Sequence, residues 1–124
     1  MVIGFFSGII FWLASKLLLR LRLDDAVDAI PVHLFNGLWG VVSVGLFAVP
    51  SRLEKIYGRS NHPGLFYSWH QKDSDFVLLG TQLVGLLFIT GWVTCIMLPF
   101  SKFLDWRGWF RSDPLEELVG LDIR

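Results

Sequence analysis

Twenty-one consecutive residues, Ala29 to Val49, carry no formal charge, and neither do the 25 from Phe76 to Phe100. A further apolar run, Val2 to Leu19, is broken only by Gly4, Ser7, Gly8, Ser15 and Lys16. A helix rising ~1.5 Å per residue needs about 20 residues to cross a hydrocarbon core of about 30 Å. The runs therefore predict an all-α membrane chain with transmembrane helices at about 2–19, 27–49 and 76–100. Residues 1–104 form the membrane region of this reading, and 105–124 a tail. A hydrophobic content of 53% and a mean hydropathy of +0.54 agree with it. The bilayer is thus the first expected partner.

What the composition excludes is equally useful. The formal net charge is zero, so no nucleic-acid partner is expected. A single cysteine, Cys95, permits neither a disulfide framework nor a metal quartet within the chain, and no metal or cofactor is expected. His62 and His70 are read as solvated loop residues, not zinc ligands, because no cysteine lies near them. Met1 enters its apolar run without a basic segment, which does not have the form of a secretory signal.

His33 is the one ionisable side chain between Ala29 and Val49. An ionisable group within a membrane span costs free energy unless it has a partner or faces water, so it marks a functional site by default. Asp25 is read as an N-cap, answered by Asp28 three residues on as in a capping box. On that count His33 stands roughly 12 Å up the axis, near mid-depth. Gly37 and Gly40 follow on the same stripe, where small residues admit a neighbouring helix. Pro31 should kink the helix just below the imidazole. From spacing alone two roles stay open for His33, a hydrogen bond to a neighbouring helix or a part in transport. An enzyme is not expected, since Asp28 and His33 stand about 140° apart round an α-helix. No serine or cysteine takes an obvious nucleophile position either.

Between the second and third runs, residues 50–75 make a connection long enough to expect partial structure. Asn61 to Gly64 signals a turn, and Leu65 to Trp69 is aromatic enough for a membrane surface. The third run carries a weakly polar face that includes Gln82 and Gly85, read as helix packing. Pro99 marks its end or a late kink. Trp106, Trp109 and Phe110 among basic residues suit a headgroup anchor, and Asp113 to Glu116 predicts a short capped helix. Seven Lys and Arg flank the first turn and the tail against four in the long loop, which places the C-terminus inside.

The stretch Asp24-Asp25-Ala26-Val27-Asp28-Ala29, then Val32-His33, Gly37-Leu38-Trp39-Gly40 and Gly45-Leu46-Phe47-Ala48, resembles the ammonium transporter, methylammonium permease and Rhesus superfamily. There a DDP-x-D segment precedes a V-H-x-x-x-G-x-x-G helix ending in G-[LI]-F-A. Ala26 stands here where the family has proline, and Pro31 where it has a smaller residue. Glu116, Glu117, Gly120, Leu121 and Asp122 resemble the family's tail.

The resemblance implies that these are the last three of eleven helices. It also implies a homotrimer with one pore per subunit, in the plasma membrane, with a cytosolic C-terminus. It places His33 on the second of two facing pore histidines, the first lying on an earlier helix. The substrate would be ammonium, moved as ammonia while its proton passes along the histidines, with Ala29, Val32 and Gly37 walling the path. On this reading the chain is a C-terminal piece that does not conduct alone. The alternative is a small non-conducting membrane subunit whose helices only pack.

Overall fold

The computed structural model describes residues 1–69 and 74–111. His70, Lys72 and the tail positions 112–124, including the predicted helix at Asp113, lie outside it. Among the described residues all regular secondary structure is helical, with no strand. In order they form α1 (Val2–Leu21), α2 (Ile30–Phe47), α3 (Pro50–Tyr57), α4 (Leu65–Ser68) and α5 (Val77–Trp106). Three of them, α1, α2 and α5, are long and apolar enough to cross a membrane. The chain divides into two compact units, Met1–Leu86 and Leu87–Arg124.

In the first unit, α1 ends at a left-handed residue, Arg22 (φ 54°). The Leu23 N–H reaches back to the Leu18 carbonyl at 3.1 Å and the Arg22 N–H to that of Leu19 at 3.2 Å. This pair of bonds is the Schellman closure, made here without glycine. The chain then reverses, and α2 runs antiparallel to α1. Ser15 donates to an Asp28 carboxylate oxygen at one end (3.3 Å), and the Trp39 indole donates to the Ile3 carbonyl at the other (3.1 Å).

Helix boundaries differ from the sequence reading, chiefly in α2 and α5. The second helix starts at Ile30 and stops at Phe47, inside the expected 27–49. Its first turn, Ile30–Phe35, is π-helical and not a proline kink. Pro31 falls within the first two residues, where a missing N–H costs no intrahelical bond, and its ring is fully buried. The third helix passes through Pro99 and ends only after Trp106. A stop at Pro99 would strand a turn of carbonyls in hydrocarbon, a larger cost than one lost bond of about 3 kcal/mol. In the second unit Gly108 (φ 71°) closes the helix, with the Trp109 N–H on the Leu104 carbonyl at 2.9 Å.

The described part of the long connection, 50–69 and 74–75, is largely structured. Pro50 opens α3 at its first turn, and Gly58 (φ 65°) closes it. Gly64 then presses against the end of α2, donating its N–H to the Ala48 carbonyl at 2.9 Å. Any Cβ at Gly64 would overlap the Ala48 nitrogen and lie 2.7 Å from the Leu46 carbonyl oxygen. Ser68 is fully buried and receives the Asp75 N–H at 3.1 Å. His62, expected to be merely solvated, meets the Asp75 carboxylate at 2.7 Å. The other Asp75 oxygen accepts the Val77 N–H at 2.9 Å, so Asp75 caps α5. That backbone bond first, and then His62, holds the Asp75 carboxyl below the usual carboxylate range.

Apolar burial within the chain is slight. Among the described residues Ala14, Leu18 and Leu65 are the buried hydrophobic ones, while side chains such as Phe88 and Trp92 are more than 60% exposed. None of the residues of α5 is buried. Surface of this kind belongs against lipid or further helices, and the chain is part of a multi-pass membrane protein. Aromatic rings link the first unit: Phe6 meets Trp39 edge-on, and Phe47 stacks on Phe66 at 5.1 Å, with Trp69 beyond. Lys16 places its ammonium 3.7 Å over the Trp12 ring, a stabilising use of a cation on this face.

Two outcomes are expected. A Cβ on buried Gly45 would sit 2.8 Å from the Leu79 Cα, so Gly45→Val should destabilise the α2–α5 contact by about 1–3 kcal/mol. Thermal unfolding in detergent micelles measures it. Asp75 carries a lowered folded pKa, so its contribution is present above the unfolded value and is lost as pH falls through the folded one. Protection factors at Val77 to Gly80, taken relative to intrinsic exchange at each pH, should therefore fall on acidification, and Asp75→Ala should show low protection at every pH.

Candidate functional site

The start of α2 is built by a carboxylate set back from the helix. Asp25 accepts the Ala29 N–H on one oxygen at 2.9 Å and the Ile30 N–H on the other at 2.7 Å. Two of the helix's orphan donors are thereby satisfied by a negative group at the positive end of the dipole. The N-cap position itself is Ala29, so Asp25 acts from four residues further back than the sequence reading placed it.

Asp28 does not complete a capping box. It precedes the helix in the left-handed region (φ 53°), which aspartate tolerates better than most residues. Its N–H donates to the Asp25 carbonyl at 3.2 Å, and its own carbonyl takes the Val32 N–H at 3.0 Å. Its carboxylate is engaged by Ser15. Asp24, Asp25 and Asp28 share a shallow groove with Ser15, Leu18, Leu19 and Leu23.

His33 lies in the π-helical turn, exposed, with no hydrogen-bond partner among the described residues. It stands three residues into α2, or roughly 5 Å from the helix start, and not the 12 Å counted from Asp25. Val32 beside it is 44% exposed. Gly37 is exposed, and a Cβ added there would meet nothing within 4 Å. A Cβ at exposed Gly40 or half-buried Gly85 would likewise meet nothing within 4 Å, and Gln82 is half-buried, so the described chain sets no helix against these glycines. The close helix approach falls at Gly45 instead, against Leu79.

Asn36, three residues after His33, carries no ionisable group, so charge and spacing do not mark it. Its side-chain Nδ2 donates to the Pro31 carbonyl at 3.2 Å. Its backbone N–H binds the carbonyls of Pro31 and His33, passing over that of Val32, the acceptor an α-helix would use. Its Oδ1 is buried without a partner among the described residues. The available signal was a polar amide in an apolar run, five residues after a proline. No group of three or more His, Cys, Asp or Glu among the described residues is arranged to hold a metal ion.

The sequence profile of the Ammonium Transporter Family matches residues 1–124. Among relatives, Ammonium transporter 3 of Dictyostelium discoideum is 38% identical over 98% of this chain and 27% of its own length. Putative ammonium transporter 1 member 5 of Arabidopsis thaliana is 34% identical over 98% of the chain and 24% of its own length. A putative ammonium transporter of Synechocystis is 36% identical over 98% and 22% respectively. The chain thus spans about a quarter of the length of the curated relatives it matches. No solved structure matches it.

The Asp25 cap has a measurable consequence. Asp25→Ala should cost about 1–2 kcal/mol in unfolding free energy and speed amide exchange at Ala29 and Ile30, whereas Asp24→Ala should leave both unchanged.

Proposed function

Because the chain belongs to the Ammonium Transporter Family, we propose that it forms part of a pathway carrying ammonium across a membrane, with His33 as a proton-handling group in that pathway. The match across the whole chain is the observation that carries the reading, and the relatives' names agree with it.

The physical case rests on what hydrocarbon refuses. A bare ammonium ion in a narrow apolar path pays a desolvation cost of several kcal/mol or more. Neutral ammonia does not, provided a nearby base takes the proton. Imidazole suits this task because it ordinarily titrates near neutrality and has one nitrogen to donate while the other accepts. His33 is exposed on the chain's own surface with both ring nitrogens free of partners among the described residues, as a relay group must be. Ala29, Val32 and Gly37 lie within one turn of it and would wall the path. Asp25 and Asp28 are engaged with backbone and with Ser15, which supports structural roles for them.

The remaining expectations form part of the same proposal. The three long helices are the last three of eleven, the subunits associate as a trimer with one pore each, and a second histidine faces His33 from another helix. The C-terminus lies in the cytosol and the protein in the plasma membrane.

Ammonium-induced current in proteoliposomes holding the intact protein tests the reading. His33→Ala should cut the charge moved at least tenfold while the protein still assembles. Undiminished current would remove His33 from proton handling.

A further inference from the structure

The π-helical turn under His33 calls for an explanation that Pro31 alone does not give. Proline at the start of a helix is compatible with ordinary α geometry, since its missing N–H has no intrahelical partner there. A π turn holds one residue more than an α turn, and each residue advances the helix by about 100°. The choice between the two geometries therefore decides where the imidazole points relative to everything after residue 36.

Asn36 bonds at the point where the two geometries diverge. Its Nδ2 and its backbone N–H converge on the same Pro31 carbonyl, five residues back. In α geometry the backbone N–H would turn to Val32 and leave this double clamp. The orientation of the amide follows from its partner, because a flipped side chain would set oxygen against oxygen. That orientation leaves Oδ1 buried and unpartnered among the described residues. A leucine would fill the same volume without a buried acceptor, so packing alone does not call for an amide here.

We propose that Asn36 is the positioning residue for His33: its amide locks the Pro31 carbonyl, holds the π turn, and fixes the direction in which the imidazole leaves the helix. The consequence for transport rests on the reading of His33 given above; the geometric claim does not.

The test uses the intact protein in proteoliposomes with Cys95 replaced by serine, since Cys95 is a free, exposed thiol. In a His33→Cys background, the rate of modification by a small water-soluble thiol reagent reports where position 33 points. Asn36→Leu and Asn36→Asp, which both lack the donor, should change that rate at least fivefold. Asn36→Gln, which keeps it, should stay nearer the parent. With His33 present, the same two donor-less variants should lower ammonium-induced current about tenfold at unchanged assembly. Should Asn36→Leu fail to assemble, the order of Asn36→Gln and Asn36→Asp decides. Parental labelling in Asn36→Leu or Asn36→Asp would overturn the proposal. Undiminished current in His33→Ala, with labelling still altered, would instead overturn proton handling and leave the positioning role standing.

Discussion

A backbone group inside hydrocarbon has no water to bond, and the first turn of α2 shows how this chain meets that constraint. The helix must begin close to the bilayer, carry a proline at its second position, and present a histidine two residues after it. Asp25 supplies acceptors for the Ala29 and Ile30 N–H groups, Asp28 turns the chain through a left-handed residue, and Asn36 doubles the donors on the Pro31 carbonyl. Each is a local answer to a backbone group that would otherwise be stranded. Together they set the imidazole on a turn whose register differs from the α-helix that follows.

The same constraint shapes the long helix after the connecting loop. A chain in water would be free to break at Pro99, because solvent takes up the released carbonyls. In lipid the cheaper course is to lose a single bond and continue, which α5 does for seven further residues before Gly108 closes it. At its other end Asp75 caps the first turn while His62 steadies the carboxylate and Ser68 holds the Asp75 backbone. The described part of the connection thus forms a folded brace between α2 and α5 within the first unit.

Much of this was legible in the residues. Charge-free runs of 21 and 25 residues leave few alternatives to spanning helices, and the length of the connection at 50–75 signals partial structure without placing α3. The fine geometry was not legible, for definite reasons. Pro31 signals a disturbance but cannot say whether the helix kinks or widens, since that depends on the Asn36 side chain. Asp25 and Asp28 look like a capping box because spacing does not reveal that Asp28 turns left-handed. Glycine spacing pointed to Gly37 and Gly40 for close approach, whereas the contact formed at Gly45, because the partner at Leu79 is placed by the loop and not by α2. His62 and Asp75 are 13 residues apart, and only the folded loop brings them together.

The central claim is that the π turn directs His33 into a protein-lined path and away from lipid. A structure of the intact assembly determined in a lipid bilayer tests it most directly, since side-chain and acyl-chain positions are then seen together. The account predicts the imidazole bordered by side chains of a neighbouring helix along a narrow, lipid-free passage. An imidazole packed among acyl chains on the outer surface of the assembly would contradict it.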